Sequence, residues 1–308
     1  MKITRTALLF ILIFSSRASA WNDCGHMTIA AIAYSQLSEK AKPHIDELLR
    51  RNPSYSQWTN DVTLQDRPRV AFMRASTWPD DIRRDPSYFD KNDNNKNLLN
   101  SGYRDKSLHR SWHYINKPFS TDHTQLRDAG QPNIQTQLSA LHLALQTNHS
   151  NSDVSSYNLI WFIHLVGDAH QPLHATSRFA RNFPQGDRGG NSISICEKTC
   201  DENLHAYWDQ LLGTTRKPAA IQRAAEKYPA ADGRLAVIVD EHVWLDESAE
   251  IARRIVYAAP FDDAGENYGA DNIALTPPYA AAATRIARQQ AAVAGARLAN
   301  ALNRIFSD

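Results

Sequence analysis

The stretch His164 to His174, HLVGDAHQPLH, constrains this chain more than any other. The residues before it, Leu159-Ile160-Trp161-Phe162-Ile163, are all apolar and read as a helix. On that helix His164 and Asp168, four apart, project from one face. Two ligand-type residues on one rigid face can hold a metal ion at little ordering cost. Pro172 lacks an N–H and restricts the residue before it, so the helix is predicted to stop near Gln171. His174 follows just past the break, placed to serve a neighbouring ion instead of the same one. The competing reading is a helix with ordinary, hydrogen-bonded buried histidines, because H-x-x-x-D arises readily by chance. The rest of the chain has to decide between them.

The 308 residues suit one helical domain with elaborated loops. The N-terminus reads as a signal peptide over 1–20: Lys2 and Arg5, then apolar Leu8 to Phe14, then Ala18-Ser19-Ala20 as a small-residue cleavage site. An uncleaved anchor is the weaker reading, since the apolar run is too short. Export, to the periplasm or medium, and a mature domain over 21–308 are expected. Cleavage there leaves a free α-amine on Trp21, five residues before His26. No later segment is long and apolar enough to span a membrane.

Net charge points to no partner. Without Lys2, Arg5 and Arg17, 31 basic residues face 33 acidic ones, a net of −2. No basic tail or stripe marks a nucleic-acid binder, so a polyanionic substrate would have to be attracted by bound cations. Three cysteines are an odd number for an exported protein. Cys196 and Cys200 are close enough to bridge. Cys24 is left over, as a buried thiol or a zinc ligand.

Helical signals run through nearly the whole mature chain. Helices are expected over His26–Leu37, from an N-cap at Ser38 to Arg51, Pro68 to about Trp78, Pro132–Asn148, Ser152–His170, Asp201–Leu212, Lys217–Lys227 and Arg234–Ala259. A last one opens at Pro277-Pro278 and runs to about Phe306. Asn52–Arg67 and Asp90–Ser107 read as polar loops. Phe179–Ile195 is read as a loop that ends in a short strand over Ser192–Ile195. The class is all-α, a single domain.

The ligand-type residues can then be counted. Trp21 to His26 reads WNDCGH, Trp78-Pro79-Asp80 puts an acid behind an aromatic, and Trp112-His113-Tyr114 sets one histidine between aromatics. His205 and Asp209, in NLHAYWD, repeat the one-face spacing of His164 and Asp168. Singly each is weak. Together, imidazole nitrogens and carboxylate oxygens form the ligand set of catalytic zinc.

This pattern resembles the zinc-dependent, single-strand-preferring type I nucleases of fungi and plants, the S1/P1 nuclease family. The motifs that carry the likeness run in order from Trp21 to Asp209: Trp with Gly-His, W-P-D, W-H-Y, H-x-x-G-D-x-H-Q-P-L-H, G-G-N and N-L-H-x-x-W-D. The resemblance implies a zinc cluster at the bottom of a cleft in a mainly helical fold, holding three Zn2+ ions. By position, Asp80, His113, His164 and Asp168 would bind one ion. His174, His205 and Asp209 would bind a second, more exposed one. The α-amine and carbonyl of Trp21, with His26 and Asp168, would bind the third. A sister family, the zinc phospholipases C, typically has Glu in the last ligand place. Asp209 favours the nuclease branch, with phospholipase C as the alternative; a non-catalytic, zinc-stabilised helical protein is a third.

Zinc chemistry then suggests a mechanism. Water between the two close ions becomes a bridging hydroxide near neutral pH, with Asp80 orienting or deprotonating it. Attack at phosphorus would leave 5′-phosphate products, and the same site is expected to remove a 3′-phosphate. The expected substrates are single-stranded RNA and DNA and 3′-nucleotides, cleaved by a monomer. Tyr114 matches the family's base-stacking position, and Arg83 and Asn116 its base-contact positions. Asn116 stands where relatives commonly have Asp. Asn191, in Gly189-Gly190-Asn191, matches a phosphate contact, with plain turn chemistry as the alternative. Among the remaining histidines, His170 is read as supporting a ligand by a hydrogen bond. The others are read as surface or packing residues.

Overall fold

The helix α7 (Asp153–Ala169) is buried from Ser155 to its last residue. The computed structural model describes residues 21–90, 101–147, 152–196, 200–262 and 272–307. The segment read as a signal peptide lies outside them. α7 starts where Ser152 caps it, its side chain accepting from Ser155 N at 3.1 Å, with Asp153 in the first turn. Leu159, Ile160, Phe162 and Val166 each withdraw a whole side chain from water, about 1.5–3 kcal/mol apiece. Packing on all sides, more than propensity, fixes this helix.

Around it lie α1 (Asp23–Gln36), α2 (Ala41–Leu49), α4 (Arg67–Ala75), α5 (Trp78–Asp81), α6 (Ile134–Thr147), α11 (Glu241–Ile251) and α12 (Pro277–Ile305). α3 (Tyr55–Thr59) is a short helix inside the stretch read as a polar loop. α1 begins three residues earlier than its apolar spacing suggests, because the Asn22 side chain accepts from Gly25 N and caps it. Ser38 does start the second helix: its Oγ accepts from Ala41 N at 3.1 Å. α12 opens at Pro277 behind the Thr276 cap and packs along α1, where Trp21, Ile29, Ala287, Ala291 and Ala294 form a small core.

The stretch read as one helix over Arg234–Ala259 is broken. α10 (Gly233–Ala236) ends early, α11 starts after Asp240, and a π-helical turn covers Ala252–Val256. The cause is local: the Asp240 carboxylate accepts from His242 N at 2.9 Å and competes with continuation of the helix. Likewise Asp201–Leu212 divides into a strand residue pair and α8 (Leu204–Gln210), capped by the Asn203 side chain on Ala206 N. α9 (Pro218–Ala225) sits as expected within Lys217–Lys227.

The strands are short. β1 (Lys117–Phe119) pairs in parallel with β2 (Thr176–Arg178). β3 (Ser194–Cys196) lies between antiparallel β4 (Glu202–Asn203) and parallel β5 (Ile273–Ala274). A disulfide joins Cys196 to Cys200 between β3 and β4. Cys24 is a buried free thiol whose Sγ donates to Leu212 O at 3.4 Å, away from the His and Asp clusters described below. Of the loop Asp90–Ser107, residues 91–100 lie outside the described residues; Phe89 and Ser107 form a bridge at its ends. Among the described residues no helix is long and apolar enough to cross a membrane.

Candidate metal centre

α7 supplies His164 and Asp168 one turn apart, and its neighbours bring the rest. His26 comes from α1, Asp80 from α5, His113 from a 3₁₀ turn (Arg110–His113), and His174 from a 3₁₀ turn (Pro172–His174). α8 brings His205 and Asp209 on one face. All eight side chains are buried. They fall into three groups: His26, His164 and Asp168; Asp80, His113 and His164; and His174, His205 and Asp209. Within each group the ligand-type atoms lie no more than 4.8 Å apart.

The turn carrying His113 is held by packing. His109 opens it in the left-handed region (φ 44), with its ring stacked on Trp112 and Nε2 2.8 Å from Asp105 Oδ2. The His174 turn follows the proline break as expected, although α7 ends at Ala169, two residues before Gln171.

Hydrogen bonds fix the tautomers. The Nδ1 of His164 donates to Ser76 O at 2.7 Å, that of His174 to His113 O at 2.6 Å, and that of His205 to Gly189 O at 2.7 Å. A carbonyl can only accept, so in the neutral rings each Nε2 carries a lone pair. His174 Nε2 and His205 Nε2 face one another at 3.1 Å. His164 Nε2 faces Asp168 Oδ2 at 3.2 Å. Lone pairs held this close repel unless a cation is shared between them. His113 Nδ1 lies 3.0 Å from Asp168 Oδ2, and His26 Nε2 lies 3.3 Å from Asp168 Oδ1. Both His26 ring nitrogens, His113 Nε2 and Asp168 Oδ1 are buried without a hydrogen bond among the described residues. Orphaned buried polar atoms at this density fit bound metal, and the donor types fit zinc.

The protein's own charges push the same way at most of these groups. His164 is the exception: against its burial, the Asp168 and Asp80 carboxylates raise it above its ordinary value, so its neutral form depends on a cation displacing the proton. Burial alone would raise Asp80, but Arg83 and the His164 and His113 rings hold it below the usual carboxylate range. Asp168 is likewise held well below that range against its burial, chiefly by His164. Burial drives His113 and His205 down to about 3, with Arg83 adding to the first and His174 to the second. Burial also lowers His26 and His174. These imidazoles are therefore neutral and able to ligate at pH 7. Asp209 runs the other way: burial lifts its carboxyl well above the ordinary value, which only partners such as Gln171 oppose. A cation beside it would reverse that balance.

Two glycines allow this convergence. A Cβ on Gly167 would lie 2.8 Å from His26 Nδ1. On Gly189 (φ 60), whose carbonyl orients His205, a Cβ would lie 2.4 Å from Leu173 O. Gly167 stands inside the central motif, and its role became legible only once α1 was seen to cross α7 there.

The other expected site residues are more dispersed. Trp21 is fully buried, and the next residue's N–H (Asn22) donates to Asp209 O at 3.1 Å, so the chain start lies against α8. Arg83 Nη2 lies 3.1 Å from Asp80 Oδ1, so its guanidinium is turned toward this carboxylate. Tyr114, beside His113, is 41% exposed. Asn116 is half-buried and follows Ile115, whose N–H donates to His174 O at 2.8 Å. Asn191 uses its amide on Arg188 O at 2.8 Å, which is turn chemistry. His170 does not hydrogen-bond a ligand. Its Nδ1 donates to Val166 O and its Nε2 accepts from Arg297, so it ties the end of α7 to α12. A cleft of about 760 Å³ opens on the other side of α5, lined by Trp78, Asp81, Arg84 and Arg216. Its charges pair internally, Arg84 and Arg216 both with Asp81, and it holds none of the clustered histidines.

A mainly helical scaffold gathers five histidines and three aspartates around one buried helix as three metal-type His/Asp clusters. The chain belongs to the S1/P1 nuclease family, whose family model matches residues 21–307. It is 28% identical to Endonuclease 2 of Arabidopsis thaliana over 326 residues, covering 97% of this chain and 94% of that one. To Endonuclease 3 of the same plant it is 22% identical over 326 residues, with 98% and 94% covered. To Nuclease P1 of Penicillium citrinum it is 25% identical over 193 residues, with 61% and 57% covered.

Proposed function

We propose that this nuclease is an exported, monomeric, trinuclear-zinc endonuclease. It cleaves single-stranded RNA and DNA to 5′-phosphate products and removes the phosphate of 3′-nucleotides. The observation that carries this reading is the lone-pair crowding: buried Nε2 atoms of His174 and His205 face each other at 3.1 Å with both Nδ1 protons tied to carbonyls. Asp80, His113, His164 and Asp168 would hold one ion and His174, His205 and Asp209 a second. The third would take His26, Asp168 and the amine and carbonyl of Trp21 after removal of residues 1–20. When bound, zinc supplies Lewis acidity, acidifying water and offsetting negative charge on the phosphate and its leaving oxygen.

The chain's own residues do the remaining work. Asp80, kept ionised by Arg83 and its histidine neighbours, is available to take a proton from the attacking water. Arg83, held beside that carboxylate, can shift to the phosphate or base of a bound strand. Tyr114 offers an exposed ring on which an unpaired base stacks, which a duplex denies it. Asn116 and Asn191 supply amide groups for base and phosphate contacts. The deep burial of the cluster favours a flexible single strand, which can lower one phosphate to it.

The test is cleavage of single-stranded RNA and DNA by the purified protein, alongside a chelated sample, with product ends and metal content determined. Zinc-dependent 5′-phosphate products support the proposal. Zinc-loaded protein that leaves nucleic acid intact sinks it, and hydrolysis of a phosphatidylcholine analogue instead would replace it with a phospholipase C. Mass spectrometry of the exported N-terminus tests the Trp21 ligand: an Ala20 left in place would displace the amine.

A further inference from the structure

We infer that Gln171 is the positioning residue of the His174, His205 and Asp209 group, setting which Asp209 oxygen faces the metal and how tightly the metal is held. The inference rests on the zinc reading above. Gln171 is fully buried, although it ligates nothing and lies in no helix. Both ends of its amide are used. Oε1 accepts from Leu173 N at 2.6 Å, and Nε2 donates to Asp209 Oδ1 at 2.7 Å.

The first bond shapes the turn. It caps Pro172–His174 and fixes the short run that ends in His174, whose carbonyl and ring are then tied to Ile115 N and His113 O. The second bond reaches a different element, α8, and occupies one carboxylate oxygen. The remaining oxygen, Oδ2, is the one on the His205 side, 3.6 Å from His205 Nε2. One planar amide therefore couples the element carrying His174 to the element carrying Asp209. It also leaves Asp209 Oδ2 as the oxygen facing His205. Without it, the carboxylate could rotate about its Cβ–Cγ bond, and the pocket would have to be ordered when the ion binds.

The residue type follows from this geometry. Asn is one methylene shorter and cannot span both partners. Glu keeps an acceptor for Leu173 N but replaces the donor with an oxygen facing Asp209 Oδ1. Met matches the length and offers neither bond. Outer partners of metal ligands typically shift metal affinity 10- to 100-fold when removed.

The experiment uses the full mature protein, with Zn2+ titrated against a chromophoric chelator and Co2+ substituted to read coordination from its visible absorption. For Q171E and Q171M, one of the bound equivalents is expected to weaken about 10- to 100-fold while the others keep wild-type affinity. The Co2+ spectrum should change at that equivalent alone. If Q171M fails to fold, as judged by near-ultraviolet circular dichroism, Q171E decides, since it keeps the Leu173 bond. Unchanged or tighter binding of every equivalent in Q171E overturns the inference, as does equal weakening of all of them. Wild-type protein that binds no metal would overturn the zinc reading itself, a separate and distinguishable result.

Discussion

The imidazole of His174 donates from Nδ1 to the backbone oxygen of His113, 2.6 Å away, and Ile115 N returns a bond to His174 O at 2.8 Å. A residue of one metal-type group thus orients a residue of the next. The turn holding His113 and the turn holding His174 are 61 residues apart in the chain and act as one rigid piece.

Asp168 is the strongest case. Its two oxygens lie within 3.3 Å of His26, His113 and His164 nitrogens. Asp168→Asn keeps the shape and removes the charge. It is expected to cost a thousand-fold or more in kcat, about 4 kcal/mol of transition-state stabilisation, and to lower the bound zinc count. Elemental analysis and single-strand cleavage measure both. A variant with full metal content and near-wild-type turnover would remove Asp168 from the mechanism.

Gly167→Ala sets two effects against each other. In an exposed helix the change gains about 1 kcal/mol in propensity. Here the new methyl meets the His26 ring at 2.8 Å. Overpacking costs about 1–3 kcal/mol, and the clash should win. The expected result is a lower Tm in chelator, together with loss of the metal equivalent that uses His26. A Tm at or above wild type with full metal content would mean that α1 moves aside freely.

Acid should release the metal and destabilise the fold through the same groups. His113 and His205 sit at about 3 in the folded chain, below their ordinary 6.5. Between these values the unfolded chain binds more protons, so stability falls as pH drops from about 6.5 toward 3. Asp209 has the opposite sign: its raised folded value adds stability at low pH that is lost as pH rises through that value. A cation cancels this loss by favouring the ionised carboxylate. The rise in Tm caused by zinc should therefore grow as pH increases through 4 to 7. Melting curves with zinc and with chelator across that range give the answer, and a zinc increment independent of pH contradicts it.

Tyr114→Ala probes substrate and leaves the cluster alone, because the ring is exposed. A stacked base is worth about 1–3 kcal/mol, so KM for a single-stranded oligonucleotide should rise about ten-fold with kcat little altered. Steady-state kinetics on oligonucleotides decide this. An unchanged KM would assign base contact to other residues.

The helical class, most helix positions, the Cys196–Cys200 bridge and the His164/Asp168 and His205/Asp209 pairs were legible from spacing, while the full set of clustered ligands was implied by the resemblance to the S1/P1 nucleases. Spacing suffices where both partners share one helix, as His164 and Asp168 do, or His205 and Asp209, because 3.6-residue periodicity alone puts them on one face. It also located the break before His174, since proline's lack of an N–H acts locally. It misjudged Arg234–Ala259, where one Asp240 side-chain bond interrupts an otherwise continuous helical pattern.

What spacing cannot carry is contact between elements. The pairing of His26 with Asp168, the role of Gly167 as the gap that admits it, and the turn of Arg83 toward Asp80 follow from how helices cross. So do the attachment of His170 to Arg297 and the bridge from Gln171 to Asp209. The sequence by itself determined which residues could ligate and which helices bear them, because those depend on local periodicity and side-chain chemistry. The tertiary structure brought together the groups that the family resemblance implied, and it alone decided which imidazole nitrogens are free, because those are set by long-range packing and by carbonyls far away in the chain.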